Sequence, residues 1–344
     1  MTDERRKLVF NSETEEDAVV SLSLRPSKLE DFVGQKDLVE SLRVSIQAAT
    51  QRGEPIEHML FSGPPGLGKT SLSYIISHEM SSRITVTSGP AIDRPGDFIG
   101  ILTNLEKGDI LFIDEIHRLS KSVEEFLYPA MENFQIDFIV DKGPYAKTIK
   151  FNLKPFTLIG ATTRSGLLAS PLRDRFGIFH HLDFYRNEDL AQIITNSSKK
   201  LNLKIASEAA LEIARRSRGT PRIANRLLRR VRDYTQVKTD LSEITCDVVV
   251  KAMETLGIDT QGLDGKDRKL LNVILKYYNG GPAGVDAIAA TLNEEVDTIV
   301  DVVEPFLLKK GFLKRTQRGR ELTDKARDHL KSCPSEQNDQ KQLF

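Results

Sequence analysis

The sequence GPPGLGKT at residues 63–70 constrains this chain more than any other stretch. It fits the pattern G-x-x-x-x-G-K-[ST], in which a glycine-rich turn binds phosphate. An apolar run at 58–61 predicts a short buried strand before it, and helical apolar spacing follows over 71–80. A turn between a strand and a helix directs backbone N–H groups and the positive end of the helix at phosphate oxygens. The stretch therefore predicts a nucleoside triphosphate site in an α/β domain.

Four residues of this loop have predictable roles. Gly66 and Gly68 let the backbone bend so that its N–H groups converge on the phosphates. Lys69 can reach the β- and γ-phosphates, and the Thr70 hydroxyl can ligate Mg²⁺. A nucleoside triphosphate with Mg²⁺ is therefore the expected ligand.

The run ILFIDE at residues 110–115 is the second decisive stretch. Its apolar residues predict a buried parallel strand that ends in Asp114 and Glu115, at the edge where α/β sheets bind ligands. We expect Asp114 to hold Mg²⁺ through water and Glu115 to orient or deprotonate the attacking water. His117 follows directly, and we assign it no chemical role, because a lone histidine here is more often structural.

Composition limits the partners and the compartment. The 344 residues carry a net charge of +0, so attraction to nucleic acid or membrane requires a local patch. The two cysteines lie far apart and near no histidine cluster, which favours a reducing compartment over a disulfide framework or a zinc site. The sequence has no bilayer-spanning run and no visible signal peptide. We expect a cytoplasmic protein of two or three domains with no membrane partner.

Three further stretches of the α/β part have defined expectations. A strand over 156–160 places Thr162 and Thr163 at its end, where a polar side chain faces the γ-phosphate. Alternating apolar residues predict a β-hairpin over 135–153, which either packs on its own domain or docks a partner protein. The Arg25-Pro26 segment is rigid and extended, and either lies against a nucleotide base or simply connects elements.

Arginines in two separate stretches suggest further contacts with a nucleotide. Arg173 and Arg175 on a short turn suggest an arginine finger, which requires a ring or filament if it acts on a neighbour's nucleotide. The alternative is a surface salt-bridge pair. Residues 188–256 are helical by pattern without strand signals. Pro221 suits a helix start there, so Arg222 lies on the first turn, where it can reach a nucleotide.

The third region predicts three helices followed by a basic hairpin, the helix-turn-helix variant with a wing. Between Pro305 and Arg320 the sequence has six basic residues and no acidic one: Lys309, Lys310, Lys314, Arg315, Arg318 and Arg320. Such a patch suits the phosphate backbone of DNA and sequence-independent contact. Winged-helix domains also mediate protein contacts, and that alternative stays open.

Together these motifs resemble those of the RuvB family, the AAA+ ATPases that drive branch migration of Holliday junctions in bacteria. The resemblance covers residues 22–330 and rests on residues 63–70 together with LFIDEIHR at 111–118, GATTR at 160–164, PLRDRFG at 171–177, RGTPRIANR at 218–226 and GFLKRTQRGR at 311–320. It implies an α/β P-loop AAA+ ATPase domain with an N-terminal tail over 1–185, an all-α lid over 186–256, a winged-helix head over 259–332 and a disordered tail over 333–344. One departure is Val296, which stands where the family often has a basic residue.

The resemblance also implies a function. Family members act in homologous recombination and DNA repair as homohexamers that pull duplex DNA from a four-way junction by hydrolysing ATP with Mg²⁺. RuvA holds the junction, RuvC resolves it, and the hairpin over 135–153 matches the element that docks on RuvA. The competing classes are a clamp-loader-like or initiator-like AAA+ protein that remodels DNA, and a DNA-binding regulator gated by ATP.

Residue roles follow from the same resemblance. The catalytic set that it implies is Lys69, Asp114, Glu115, Thr163, Arg175 and Arg222. In that set Thr163 is the first sensor, with Thr162 as the close alternative, Arg175 is the finger in trans, and Arg222 is the lid sensor. The nucleotide-contacting set is Leu24, Arg25, Gly66, Gly68, Lys69, Thr70, Ser71, Glu132, Asn133, Phe134, Arg175, Tyr185 and Arg222. Thr70 and Asp114 bind the metal, and Arg315, Arg318 and Arg320 contact DNA.

Overall fold

The computed structural model describes residues 23–140, 147–239 and 241–332, without the side chains of 138–140 and 147–149. The predicted N-terminal tail, which the polar composition of residues 1–20 indicates, and the predicted tail at 333–344 lie outside these residues. The chain divides into two compact units. The first contains the described residues up to Gly63, then Leu67–Asp183 and Lys199–Asn202. The second contains Pro64–Gly66, Phe184–Ser198 and the described residues from Leu203 onward.

A parallel sheet of five strands forms the centre of the first unit, in the order β2-β3-β6-β1-β7. The strands of this unit are β1 (Met59–Ser62), β2 (Ile84–Ser88), β3 (Ile110–Asp114), β4 (Gln135–Val140), β5 (Lys147–Asn152), β6 (Thr157–Thr162) and β7 (Ile178–His181). Strands β1 and β6 are buried at every residue, as expected for parallel strands covered by helices on both faces. The three central-sheet strands predicted from apolar runs, β1, β3 and β6, are confirmed. Strand β7 was not predicted, because its alternation of partly buried and exposed residues leaves no apolar run.

Helices cover this sheet because their apolar residues recur every three or four positions. They are α1 (Lys36–Arg52), α2 (Lys69–Glu79), α3 (Pro95–Thr103), α4 (Lys121–Asn133) and the short α5 (Ser170–Arg173). Helix α1, for example, buries Leu38, Leu42 and Ile46. It ends at Gly53, whose φ of 65° is the left-handed conformation that glycine adopts without steric cost.

The strand register fixes what can meet at each edge of the sheet. Ser62 pairs with both Thr162 and His181, so β1, β6 and β7 end together. Residues that follow β1, β3 and β6 therefore lie at one edge, which we call the carboxyl edge. Residues that precede β1 and β7 lie at the other, the amino edge. Strand β1 has four residues at about 3.3 Å each, so roughly 13 Å separates the two edges along it.

Strands β4 and β5 form the predicted hairpin, with Gln135 opposite Asn152 and Val140 opposite Lys147. Its base packs on its own unit, because Ile136 belongs to the hydrophobic core of the sheet. The turn at 141–146 lies outside the described residues.

The second unit begins with four helices: α6 (Asn187–Lys200), α7 (Ser207–Arg216), α8 (Pro221–Lys238) and α9 (Cys246–Thr255). The expectation that residues 188–256 contain no strand was wrong. Strands β8 (Lys204–Ile205) and β9 (Glu243–Ile244) pair in parallel before α7 and α9. Two residues are too few to produce a period in the sequence. The predicted helix start at Pro221 is confirmed, and the hydroxyl of Thr220 caps it by accepting from the N–H of Ile223 at 3.4 Å.

The rest of the second unit has the predicted hairpin and three helices before it, the third of them divided into α12 and α13, and a further helix, α14, follows the hairpin. Its elements are α10 (Gly265–Tyr277), α11 (Val285–Leu292), α12 (Val296–Thr298), α13 (Glu304–Lys309), strands β10 (Leu313–Thr316) and β11 (Gly319–Leu322), and α14 (Asp324–Ser332). A π-helical stretch, Ile299–Val303, joins α12 to α13 just before Pro305. A proline has no N–H for the helical ladder and interrupts it. Leu271, Ile274, Ile288, Phe306 and Phe312 form much of the core.

In the part of the chain that the structure describes, no helix is long and apolar enough to cross a membrane.

Candidate functional site

The carboxyl edge of the sheet gathers four of the predicted catalytic residues. Lys69 follows β1, Asp114 ends β3 with Glu115 next to it, and Thr163 follows β6. Lys69 is buried, and its ammonium group donates a hydrogen bond to the carbonyl oxygen of Gly63 at 2.6 Å. The strand register therefore brings the lysine of the phosphate loop, both acidic residues and the first sensor candidate to one edge.

The phosphate loop has the backbone that the sequence predicts. Gly68 has a φ of 106° and stands at the N-terminus of α2. Gly63 has a φ of 136°, and a Cβ there would overlap the carbonyl oxygen of Leu182. Thr70 and Ser71 lie on the first turn of α2, which contains no acidic residue to cancel the positive end of the helix. The loop therefore keeps a field that attracts phosphate.

The Glu115 carboxylate is held by neighbouring donors. Its Oε2 accepts from the Thr163 hydroxyl at 3.1 Å and lies 3.4 Å from the Thr163 backbone nitrogen. The Nδ1 of His117 is 3.2 Å from the same oxygen. Glu115 has a φ of 48°, a left-handed conformation that is uncommon outside glycine and clusters at functional sites. Gly89 accommodates this turn, because a Cβ at position 89 would overlap the carbonyl oxygen of Glu115.

His117, to which sequence reasoning assigned no chemical role, lies beside the Glu115 carboxylate. Only 5% of its side chain is exposed, and its Nδ1 is also 2.8 Å from the hydroxyl oxygen of Thr162. That hydroxyl accepts from the backbone N–H of Arg164 at 3.0 Å. His117 therefore links Glu115 to the end of β6. The signal in the sequence was its place two residues after Glu115, where the chain forms the 3-10 turn Ile116–Arg118.

Asp114 and Thr70 fit a Mg²⁺ site of the kind found in ATPases. The Asp114 carboxylate is half-buried at the carboxyl edge, and its Oδ1 accepts from the N–H of Glu115 at 3.0 Å. Among the described residues there is no cluster of three or more histidine, cysteine or acidic side chains that could hold a metal ion. Mg²⁺ typically takes one or two protein ligands and completes its shell with water and phosphate oxygens, so the small donor set is appropriate.

Arg175 lies at the amino edge, just before β7, and not beside the phosphate loop. Its guanidinium group pairs with Glu132 at 2.9 Å and lies over the Tyr128 ring at 4.7 Å. Asn133 and Phe134 follow Glu132 at the end of α4, and the Phe134 ring lies 6.3 Å from that of His58, which precedes β1. The structure therefore brings Arg175, Glu132, Asn133 and Phe134 to the same edge. It does not bring them to the phosphate loop of their own chain.

Leu24, Arg25, Tyr185 and Arg222 are the remaining residues predicted to contact nucleotide. In the first unit Leu24 is buried, and the Arg25 guanidinium lies 5.9 Å from the Tyr74 ring centre. In the second unit the backbone N–H of Arg222 donates to the carbonyl oxygen of Gly66 at 3.3 Å, and its side chain is exposed. Tyr185 is buried, which raises the pKa of its hydroxyl, and its N–H donates to the Gly219 carbonyl at 2.9 Å.

The wing has a buried acidic residue at its base. Arg315 and Arg320 face each other across β10 and β11, and the Glu304 carboxylate binds both. The guanidinium nitrogens of both arginines approach it to 3.0 Å, and Glu304 is fully buried. Burial alone would raise the pKa of Glu304, but the hydrogen bonds from the two arginines outweigh it and lower that pKa.

This arrangement distinguishes the three predicted DNA-binding residues. Arg318 is exposed at the turn between the strands. The Arg315 side chain is 51% exposed, whereas that of Arg320 is only 15% exposed. Sequence reasoning missed Glu304 because the basic stretch was counted from Pro305, one residue later.

Comparison with known proteins gives a consistent result. Three family profiles match in succession: Holliday junction DNA helicase RuvB P-loop domain at residues 24–182, RuvB AAA lid domain at 185–259 and RuvB C-terminal winged helix domain at 260–331. A curated relative from Desulfosudis oleivorans, Holliday junction branch migration complex subunit RuvB, is 56% identical over 323 residues, which is 94% of each chain.

Solved structures agree with this assignment. The structure of the Thermotoga maritima RuvB Holliday junction branch migration motor is 51% identical with a TM-score of 0.83, covering 90% of this chain and 98% of that one. A variant of the same Thermotoga protein gives 52% identity and a TM-score of 0.84 over the same shares. The order of the domains, the phosphate loop and the wing agree with these matches. The chain therefore belongs to the RuvB family of AAA+ ATPases.

Proposed function

We propose that this chain is an ATP-driven motor that moves the branch point of Holliday junctions in recombination and repair. The observation that carries the proposal is the grouping of Lys69, Asp114, Glu115 and Thr163 at the carboxyl edge, in a chain that ends in a winged helix with a basic hairpin. The first feature hydrolyses a nucleoside triphosphate, and the second binds a phosphate backbone. The AAA+ domain spans 1–185, the lid 186–256 and the head 259–332 in this proposal.

Hydrolysis is assigned to the residues of the carboxyl edge. Gly66, Gly68, Lys69 and Ser71 bind the phosphates of ATP, and Thr70 and Asp114 hold Mg²⁺. When bound there, Mg²⁺ would supply neutralisation of the charge that develops on the phosphate oxygens.

Glu115 is the group that orients or deprotonates the attacking water. The Thr163 hydroxyl donates a hydrogen bond to Glu115 at 3.1 Å. The same hydroxyl can donate to an oxygen of the γ-phosphate at this edge of the sheet, and Thr163 senses the γ-phosphate in this way.

Arg175 acts on the nucleotide of a neighbouring subunit in this proposal. The support is its place at the amino edge, roughly 13 Å along β1 from the carboxyl edge. Glu132, Asn133 and Phe134 share that edge and face the neighbour's nucleotide with it. A finger supplied in trans requires a ring or a filament, and we take the assembly to be a homohexameric ring with hydrolysis proceeding from one subunit to the next.

The second unit converts hydrolysis into movement in this proposal. Arg222 senses the nucleotide, and Leu24, Arg25 and Tyr185 line its base and sugar. Arg315, Arg318 and Arg320 contact the DNA backbone without reading sequence. The hairpin over 135–153 docks on RuvA, RuvC resolves the junction, and the complex works in the cytoplasm.

The deciding experiment is ATP-driven movement of a synthetic four-way junction, measured with and without RuvA. We expect Mg²⁺-dependent and ATP-dependent conversion to duplex products that RuvA accelerates. Hydrolysis without any junction movement under both conditions would favour the clamp-loader-like alternative. Strong sequence preference in duplex binding at moderate salt would favour a regulator.

A further inference from the structure

Arg218 occupies an unusual place between the lid and the head. It lies in the turn between α7 and α8, four residues before the sensor candidate Arg222. Its φ is 55°, and Gly219 follows with a φ of 73°. A left-handed arginine persists only where its surroundings determine the conformation.

The Arg218 side chain reaches two elements of the head. It is 10% exposed, and its NH1 nitrogen lies 3.2 Å from Asp264 and 3.1 Å from Asp267. These two aspartates form the capping box at the start of α10, so the arginine binds the first helix of the head at its end.

The other side of the guanidinium group contacts the π-helical stretch and α13. Its NH2 nitrogen donates to the Val302 carbonyl oxygen at 3.1 Å, and its central carbon lies 4.7 Å from the centre of the Phe306 ring. Val302 belongs to the π-helical stretch before Pro305. Glu304, which binds both wing arginines, lies between Val302 and Phe306 in the chain.

The same turn also contacts the start of the lid. The Gly219 carbonyl accepts from the N–H of Tyr185, and a Cβ on Gly219 would lie 3.1 Å from the Phe184 side chain. Lys309 of α13 lies over the Phe184 ring at 4.4 Å. This one turn therefore contacts the first residues of the lid. It also carries Arg218, which precedes α8 and binds two helices of the head.

From this geometry we infer that Arg218 is a positioning residue that fixes the head to the turn carrying Arg222, so that a shift of this turn moves the wing. A planar guanidinium group has donors in a fixed fork, so contacts on both sides set the orientation of α10 relative to α13. A lysine has one compact ammonium group and no planar fork. It cannot donate hydrogen bonds to the two aspartates and to the Val302 carbonyl while also stacking on the Phe306 ring. The inference rests on the proposed motor function.

The test uses the full-length chain with Arg218→Met combined with Asp267→Asn. The pair removes the buried charge from both sides and keeps a similar volume over Phe306, which buried ion pairs generally tolerate. Arg215→Met is the matched control, because Arg215 lies on α7, is exposed and pairs with Glu212 of its own helix. ATP hydrolysis, duplex binding and movement of a four-way junction are measured for each variant, with thermal unfolding as the check on folding.

We expect the double variant to hydrolyse ATP and bind duplex like the wild type, but to move about tenfold fewer junctions per ATP hydrolysed. The control keeps the wild-type ratio. A wild-type ratio in the double variant would overturn the inference, and so would a parallel loss of hydrolysis and movement, which would place Arg218 in the nucleotide site.

Arg218→Lys keeps the buried charge and decides the matter if the double variant does not fold. We expect an intermediate ratio of junctions moved to ATP hydrolysed, and an unchanged ratio in this variant would also overturn the inference. If the wild type itself moves no junction, the proposed function fails instead, so the two failures are distinguishable.

Discussion

The Thr163 hydroxyl donates a hydrogen bond to the Glu115 carboxylate at 3.1 Å, so the sensor candidate and the base candidate are in direct contact. His117 Nδ1 approaches the same carboxylate oxygen to 3.2 Å. Together these contacts fix the orientation of the Glu115 side chain at the carboxyl edge of the sheet. A γ-phosphate that attracts the Thr163 hydroxyl would therefore release one of the contacts that hold this side chain.

The first prediction concerns the base itself. Glu115→Gln keeps the shape and the contact with Thr163 but cannot accept a proton, so we expect hydrolysis to fall by about 10²–10⁴-fold while ATP binding is retained. Steady-state hydrolysis and binding of a fluorescent ATP analogue measure the two effects. Glu125→Gln, on the exposed face of α4, is the control and keeps the wild-type rate. Full turnover in Glu115→Gln would show that Glu115 is not the base.

The second prediction concerns His117. His117→Ala removes a contact to Glu115 and a contact to Thr162, so we expect a loss of about tenfold in kcat with little change in KM for ATP. His117→Asn places an amide N–H near the position of Nδ1 and should restore part of the rate. Equal loss in the two variants would mean that the ring fills space and does not position the carboxylate.

The third prediction tests whether Arg175 acts between subunits. Arg175→Ala and Glu115→Gln are each expected to be almost inactive alone, because each lacks one part of every site. In a mixed ring, an Arg175→Ala subunit supplies Glu115 and its Glu115→Gln neighbour supplies Arg175, so about one interface in four is complete. ATPase activity should therefore reappear on mixing. A mixture as inactive as its components would place Arg175 in the site of its own chain.

Sequence patterns predicted most of the fold because long apolar runs and helical spacing are local signals. The phosphate loop, the strand that ends at Asp114, the hairpin over 135–153 and the winged helix are in the predicted places. The exceptions are short or polar. Strands β8 and β9 have two residues each, and the exposed residues of β7 interrupt its apolar signal.

The positions of the candidate site residues were predictable only where a short sequence motif fixes them. Lys69 and Glu115 follow from motifs, whereas His117, Arg218 and Glu304 owe their places to partners that are distant in sequence. Glu304 binds residues 11 and 16 positions later, and Arg218 binds a carbonyl 84 positions later. No period or spacing encodes such contacts, because they form only when separate elements pack together.

The fourth prediction separates the two kinds of wing residue. Glu304→Gln removes the buried charge that holds Arg315 and Arg320, so we expect the head to lose about 3 kcal/mol of unfolding free energy and duplex affinity to fall. Arg318→Ala removes an exposed charge instead. It should leave stability unchanged and lower the salt dependence of duplex binding by about one unit of slope.

Urea unfolding and fluorescence anisotropy at several salt concentrations measure these effects. Asp328→Asn is the matched acidic control, because Asp328 is exposed and pairs only weakly with Lys331 at 3.8 Å. If Glu304→Gln bound duplex as the wild type does, the contacts of Glu304 with Arg315 and Arg320 would have no part in DNA binding.

The fifth prediction follows from Asp267, whose Oδ1 is buried and has no hydrogen-bond partner among the described residues. Burial and the neighbouring Asp264 raise its pKa from 3.8 to about 7, although Arg218 favours the charged form. The folded protein therefore holds a proton here that the unfolded chain has already released, so stability falls as pH rises from about 4 to 7.

Asp267→Asn cannot titrate, and its amide oxygen can keep the contacts with Arg218 and Asp264. Relative to wild type, its unfolding free energy should rise across that window, by about 4 kcal/mol at most, and level off above pH 7. Thermal unfolding of both proteins at pH 5, 6, 7 and 8 measures the difference, with Asp328→Asn as the control; a constant difference would mean that Asp267 keeps its ordinary pKa and is ionised throughout.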